Sequence, residues 1–132
     1  MAEALVGSWN YDSAENMEAY MDAQGIPDEM RELARTSKPK VEISKNGNVW
    51  TIKTTAGDKV SETNYPVGEE IETMTLVGKT VKALLKETAN GLIETQKSDG
   101  SETTFERAVE DGHFIYKMSA KGVQAKVKFV KG

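Results

Sequence analysis

The sequence predicts an all-β fold in which ten antiparallel strands, joined by hairpins, surround an interior space, with two short helices between the first and second strands. Three observations predict it: glycines recur at turn spacing, apolar and polar residues alternate between them, and one segment has helical periodicity. The 132 residues suit a single domain, residues 1–132. Hydrophobic residues make up 38% of the chain, which is low for a solidly packed core.

Glycines mark the turns, and eight of the 11 follow one another at intervals of 9 to 13 residues. They are Gly47, Gly57, Gly68, Gly78, Gly91, Gly100, Gly112 and Gly122. Several follow Asn or Asp, and Asn-Gly and Asp-Gly pairs supply the positive φ angles of type I′ hairpin turns. Strands at this spacing indicate an antiparallel sandwich or barrel, and residues 5–11 add the first strand. A barrel of ten strands leaves interior space, because its diameter grows with strand number.

Two short helices, at about 15–24 and 28–36, interrupt the strands and form a predicted lid at residues 15–36. Their apolar stripes are Met17, Tyr20 and Met21 in the first helix and Met30, Leu33 and Ala34 in the second. Simple packing on the core and a movable, methionine-rich cover both explain these stripes, and the periodicity leaves both open.

Composition excludes several classes of protein. The chain has no cysteine and one histidine, which excludes disulfides, thiolate catalysis and metal sites rich in cysteine or histidine. The net charge of −4 argues against a nucleic-acid partner, which would require a basic face. The N-terminal residues lack the positive region and the long apolar run of a signal peptide, so we expect none, and no apolar run is long enough to span a bilayer. We therefore expect a cytoplasmic protein without stable membrane insertion.

The residues that could perform catalysis do not form a recognisable pattern. The sole histidine, His113, shares the outer face of its predicted strand with Lys117, and no Gly-x-Ser-x-Gly motif occurs. Strand carboxylates such as Glu62 and Glu106 fit solvated outer faces better than a catalytic pair. We therefore expect a non-enzymatic protein with no catalytic residue, no metal ion and no cofactor.

Arg107 is the residue that points most directly to a ligand. In the predicted strand 102–109 it shares a face with Phe105 and Val109, which places a guanidinium on the apolar side. Arginine cannot lose its charge, so burying it unpaired is costly. The anion it needs is either a ligand or an internal carboxylate, for which Glu94 is the best candidate. Alternation leaves both sources open, and it also permits an arginine that snorkels to the end of the barrel.

Other inward positions are mildly polar. Thr54 lies on the inward face of its predicted strand, beside Ile52. Further polar positions of this kind are Tyr65, Thr73 and Tyr116. Half-polar inner faces suit a wet cavity better than a dry core, although threonine is also a common strand residue.

Short motifs along the chain carry a family resemblance. They are Gly7-Ser8-Trp9, Asn16-Met17-Glu18-Ala19-Tyr20-Met21, Lys38-Pro39, Lys45-Asn46-Gly47, Val67-Gly68-Glu69, Asp99-Gly100-Ser101-Glu102-Thr103-Thr104 and Asp111-Gly112. Together they run from end to end without a large insertion. The chain thereby resembles the intracellular lipid-binding proteins, the group that includes the fatty-acid-binding proteins.

The resemblance implies a ten-stranded antiparallel up-and-down clam barrel of the calycin type, with a helix–turn–helix lid over a water-filled cavity. Members of this family commonly bind the carboxylate of a long-chain fatty acid with two arginines and a tyrosine. Arg107 matches the first arginine, whereas Val127 and Phe129 stand where the second arginine and the tyrosine occur. Features of the intestinal and liver types are mixed, which leaves the subtype open.

On this resemblance we expect a monomeric carrier of long-chain fatty acids or similar hydrophobic anions, with the carboxylate at Arg107 and Tyr116 as a hydroxyl partner. The other expected ligand contacts are Ile52, Thr54, Tyr65, Thr73, Met118, Phe129 and the lid residues Tyr20 and Met21. Two alternatives remain: a carrier of another hydrophobic acid, such as a bile acid or a retinoid, and a protein-binding barrel that holds no lipid.

Overall fold

The computed structural model describes residues 2–132 except Pro27, Met30, 33–36, 75–79 and Asp99. Within these residues the chain forms ten β-strands and one α-helix. The strands are β1 (Gly7–Glu15), β2 (Lys40–Asn46), β3 (Val49–Ala56), β4 (Lys59–Pro66), β5 (Glu70–Met74), β6 (Thr80–Glu87), β7 (Gly91–Ser98), β8 (Ser101–Glu110), β9 (His113–Ala120) and β10 (Val123–Lys131). A 3-10 turn, Ala2–Leu5, precedes β1, and the helix, α1, is Met17–Gln24.

The strands form one antiparallel sheet that curls into a nearly closed barrel, which confirms the predicted all-β up-and-down fold. Each strand pairs with its sequence neighbour from β1 to β4 and from β5 to β10, and β1 pairs with β10. Strands β4 and β5 are the two edges of the sheet, and between them the hydroxyl oxygens of Thr63 and Thr73 lie 2.9 Å apart. Next to this seam, the amide of Gly68 donates a 2.9 Å hydrogen bond to the carbonyl of Leu85.

The first strand differs from its prediction. We expected residues 5–11, but Leu5 belongs to the 3-10 turn, where its side chain is fully buried and its carbonyl accepts a 2.8 Å hydrogen bond from Trp9 Nε1. The turn packs against β2, β7 and β8 and covers one end of the barrel. A register shift against β10 between Tyr11 and Ser13 then lets β1 continue to its end at Glu15.

The first lid helix is confirmed, although it begins at Met17 because β1 extends further than predicted. Its start is tied to the sheet by Asn16, whose backbone is left-handed and whose Nδ2 donates a 2.8 Å hydrogen bond to the carbonyl of Gln124. Gly25 ends the helix with a φ of 65°, as the sequence predicted for a C-terminal glycine.

The second lid helix is described only in part. Residues 28–29 and 31–32 are helical. Arg31 ties them to α1, since its guanidinium pairs with Asp22 and its Nε donates a 2.8 Å hydrogen bond to the carbonyl of Ile26. The predicted apolar stripe of this helix, Met30, Leu33 and Ala34, lies outside the described residues. No helix among the described residues has the length and apolar character needed to cross a membrane.

Two of the predicted glycine turns have both central residues in the left-handed conformation that a type I′ turn needs: Asp111-Gly112, with φ of 53° and 77°, and Lys121-Gly122, with φ of 52° and 77°. Gly91 behaves differently, because it opens β7 rather than forming a turn. It pairs with Ala108 of β8, and a Cβ atom at Gly91 would lie 1.9 Å from the carbonyl oxygen of Arg107. Gly91 is therefore required for close approach of two backbones, not for turn geometry.

Substitution of Gly91 by alanine should destabilise the barrel more than substitution of a turn glycine. For Gly112→Ala we expect a loss of about 1 kcal/mol, the cost of a left-handed alanine. Gly91→Ala must instead push β7 away from β8, so we expect a loss of at least about 2 kcal/mol. Urea unfolding of both variants measures the difference, and equal losses would contradict the close-approach argument.

Candidate functional site

A cavity of about 700 Å³ occupies the barrel interior beneath α1. Its size falls within the range of small-molecule sites in proteins. The predicted ligand contacts that line it are Arg107, Tyr116, Phe129, Met21, Ile52, Thr54, Tyr65, Thr73 and Met118. Other residues that line the cavity were not predicted from the sequence, among them Tyr11, Ser37 and Gln96. Strand alternation could have indicated Gln96, because it shares a face with Glu94.

Tyr20 is the predicted contact that does not line the cavity. It is buried in the core, and its hydroxyl accepts a 3.1 Å hydrogen bond from Gln24. Gln24 Nε2 also lies 3.1 Å from the Thr103 hydroxyl of β8, so it fastens the end of α1 to the sheet. The side chains of Met17 and Met21 face the cavity instead. Helical periodicity predicts that these side chains share one face of α1. It does not predict which of them line the cavity and which pack in the core.

Arg107 faces the cavity and is paired with Glu94. Arg107 is 7% exposed and Glu94 is 0% exposed. Leu92 of β7 lies opposite Arg107 of β8, so Glu94, two residues further along β7, is the diagonal neighbour on the same face. Arg107 Nη1 donates a 2.8 Å hydrogen bond to Glu94 Oε1. The sequence left open whether the anion beside Arg107 is a ligand or an internal carboxylate. The structure shows an internal carboxylate, that of Glu94, paired with Arg107.

The second carboxylate oxygen of Glu94 is also occupied. Glu94 Oε2 accepts a 2.9 Å hydrogen bond from the Tyr65 hydroxyl and a 2.7 Å hydrogen bond from Gln96 Nε2. Because Tyr65 belongs to β4, this contact crosses the barrel interior from an edge strand to β7. A buried carboxylate with both oxygens satisfied avoids the penalty of an unpaired charge.

Tyr116 of β9 completes the cluster on the other side of Arg107. The Arg107 guanidinium carbon lies 4.8 Å from the centroid of the Tyr116 ring, and Nη2 lies 3.5 Å from the Tyr116 hydroxyl. The Tyr116 ring in turn stacks on Phe105, with ring centroids 5.7 Å apart. These contacts hold the guanidinium in one plane at the cavity wall.

Both tyrosines of the cluster keep their protons at neutral pH. Burial raises the pKa of Tyr65, and the negative charge of Glu94 raises it further, so the phenol is a stable donor to the carboxylate. Burial also raises the pKa of Tyr116 and outweighs the opposing effect of Arg107. Tyr116 can therefore donate its hydroxyl proton to a ligand oxygen.

The rest of the cavity wall is largely apolar. Arg107 is the single cationic side chain among the described residues that line it. Val127 and Phe129, which stand at the positions of the second arginine and the tyrosine implied by the resemblance, are both buried and line the cavity. Ile52 and Met118 extend the apolar surface. The arrangement can accommodate an apolar chain that ends at one polar cluster.

Removing one member of the buried pair should cost more than removing both. We expect Arg107→Met to lower the free energy of unfolding by about 3 kcal/mol or more, because Glu94 would remain buried without its counter-ion. In the double variant Glu94→Leu/Arg107→Met, we expect most of that loss to be recovered. Urea unfolding of the wild type, both single variants and the double variant at neutral pH gives the coupling energy. Additive losses would show that the pair is not coupled.

The raised pKa values of Tyr65 and Tyr116 should make the fold sensitive to alkaline pH. Because the folded state holds these protons more tightly, their stabilising effect is complete below the ordinary tyrosine pKa of 10 and is lost as pH rises above it. Urea midpoints between about pH 9 and about pH 11.5 should therefore fall with pH. The double variant Tyr65→Phe/Tyr116→Phe should show a shallower fall, and an unchanged slope would contradict the assignment.

Comparisons with known proteins place this barrel in a family. A model of the lipocalin / cytosolic fatty-acid binding protein family matches residues 6–125. An adipocyte fatty acid-binding protein of Pygoscelis papua is 36% identical over 126 residues, which cover 96% of each chain. Human fatty acid-binding protein 12 is 38% identical over 123 residues, covering 93% of this chain and 88% of the relative.

Solved structures give the same result. The structure described as the REP1-NXSQ fatty acid transporter superposes with a TM-score of 0.94 at 29% identity, covering 99% of this chain and 98% of that one. The family match and these relatives extend over nearly the whole barrel, including β7 and β8, which carry the buried ion pair. The chain therefore belongs to the lipocalin / cytosolic fatty-acid binding protein family.

Proposed function

We propose that this chain is an intracellular carrier that holds a long-chain fatty acid in its cavity, with the carboxyl group at Arg107 and Tyr116. The observation that carries the proposal is a cavity of about 700 Å³ whose wall is largely apolar and includes a cluster of buried hydrogen-bonding groups at Arg107. The relatives named as fatty acid-binding proteins support the same ligand class. Membership of this family of binding proteins also confirms the prediction that the chain is not an enzyme.

The apolar wall would supply most of the binding free energy. Each methylene group of a ligand chain gains about 0.8 kcal/mol on leaving water, before the cost of ordering the chain is subtracted. Phe129, Met118 and Ile52 line the cavity as apolar contacts for such a chain, and Met21 covers it from α1. A cavity of this kind favours a carrier over a protein-binding barrel, which would need no interior space.

The polar cluster would place the head group. Among the described residues, Arg107 donates to Glu94 and Tyr116, and a guanidinium carries five N–H groups, so donors remain for a ligand oxygen. The Tyr116 hydroxyl is a second donor on the same wall. We further propose that the carrier is monomeric and cytosolic, in line with the cytosolic family to which it belongs. The same cluster would accept the carboxyl group of a bile acid or a retinoid.

Replacement of Arg107 should weaken the binding of oleate more than that of oleyl alcohol. We expect Arg107→Gln to lower oleate affinity by at least about tenfold, because a charge-assisted hydrogen bond is lost and Glu94 is left without its counter-ion. Oleyl alcohol loses only the weaker hydrogen bond of an uncharged acceptor, so its affinity should fall by less than about threefold. Displacement of a fluorescent fatty acid measures both affinities once circular dichroism has confirmed the fold.

Lys128→Gln is the matched control, because Lys128 is a cation on the opposite face of β10 from Phe129 and lies outside the cavity lining. It should bind both ligands like the wild type. If Arg107→Gln loses affinity for both ligands equally, or for neither, the carboxyl group does not lie at Arg107.

A further inference from the structure

We propose that Glu94 determines head-group selectivity: as the built-in counter-ion of Arg107, it lowers the preference of the cavity for an ionised carboxylate and admits long-chain lipids with uncharged, hydrogen-bonding head groups. This inference rests on the proposed function, since it concerns the same cavity and the same end of the ligand. It adds the class of head group that the site accepts.

Glu94 is held firmly beside Arg107. Its carboxylate is completely buried, with Oε1 held by Arg107 at 2.8 Å and Oε2 held by Tyr65 at 2.9 Å and Gln96 at 2.7 Å. Arg107 and Tyr65 come from β8 and β4, and Gln96 lies two residues along β7 from Glu94, so movement of the carboxylate would break contacts to two other strands as well as one within its own. A ligand carboxylate would therefore join Glu94 at Arg107 rather than replace it.

The charges of Arg107 and Glu94 cancel each other. Arg107 contributes one positive charge and Glu94 one negative charge, so the pair is neutral before a ligand enters. No other cation is present among the described residues that line the cavity. A bound carboxylate would leave the cluster with an uncompensated negative charge. Two carboxylates that share one site disfavour the ionised form of at least one of them.

The donors in the cluster do not require a charged partner. Arg107 and Tyr116 both line the cavity and can donate to a carbonyl or hydroxyl oxygen of any head group. Gln96, whose side chain carries both a donor and an acceptor, lines the cavity as well. A neutral amide, alcohol or ester gains these hydrogen bonds without adding a second negative charge. Compared with a cavity in which the arginine had no counter-ion, this cavity therefore binds uncharged head groups better relative to carboxylates.

The experiment compares oleate with oleamide, which has the same chain and nearly the same head-group shape but no charge. We expect wild-type affinities for the two ligands to agree within about threefold at neutral pH. Glu94→Gln keeps the side-chain shape and removes the negative charge, so the ratio of oleate to oleamide affinity should rise by at least about tenfold. Glu106→Gln is the matched control, because Glu106 of β8 is exposed and carries the same charge; its ratio should stay at the wild-type value.

The outcomes separate the two proposals. An unchanged ratio in Glu94→Gln, with both ligands still bound, overturns the role of Glu94 and leaves the carrier function intact. A wild type that binds neither ligand overturns the carrier function and this inference with it. If Glu94→Gln does not fold, the wild type decides: similar affinities support the inference, and oleate binding more than about tenfold tighter than oleamide overturns it.

Discussion

The interior of this barrel depends on the ion pair between Arg107 and Glu94. A guanidinium cannot deprotonate to escape burial, and a buried carboxylate is equally costly, so each charge tolerates the interior only with the other present. The remaining oxygen of Glu94 is satisfied by Tyr65 and Gln96, which removes the last unpaired acceptor. Both carboxylate oxygens of Glu94 therefore have partners, and the cluster that they form places polar groups at the cavity wall beside Arg107.

The same cluster compensates for the incomplete closure of the sheet. Edge strands β4 and β5 are joined by side chains, through the hydroxyls of Thr63 and Thr73, rather than by a backbone ladder. Tyr65 lies on β4, and its bond to Glu94 ties that edge to β7 through the interior. The seam can therefore remain free of backbone pairing while the edge strand stays attached to the body of the barrel.

Much of the fold was predictable because it follows from local rules, whereas the contacts of the site depend on register. Turn residues and alternation place the strands and assign Arg107 and Glu94 to the inner face. They do not give the pairing of Leu92 with Arg107, which brings the two charges within reach of each other. The role of Gly91 was hidden for the same reason, since a glycine needed for close strand approach resembles a turn glycine in sequence.

The low hydrophobic content of the chain has its explanation in this interior. Arg107 and Tyr65 both donate hydrogen bonds to Glu94, so these polar side chains can be buried without apolar residues around them. The rest of the interior stays open as the cavity. Val127 and Phe129 of β10 make the neighbouring part of the wall apolar. Arg107 is the one cation among the described residues that line the wall, and Glu94 already neutralises it, so these residues leave no net positive charge to attract an anion from a distance. On the proposed function, affinity would then come mainly from burial of the ligand chain, and the polar cluster would contribute short-range hydrogen bonds that orient the head group.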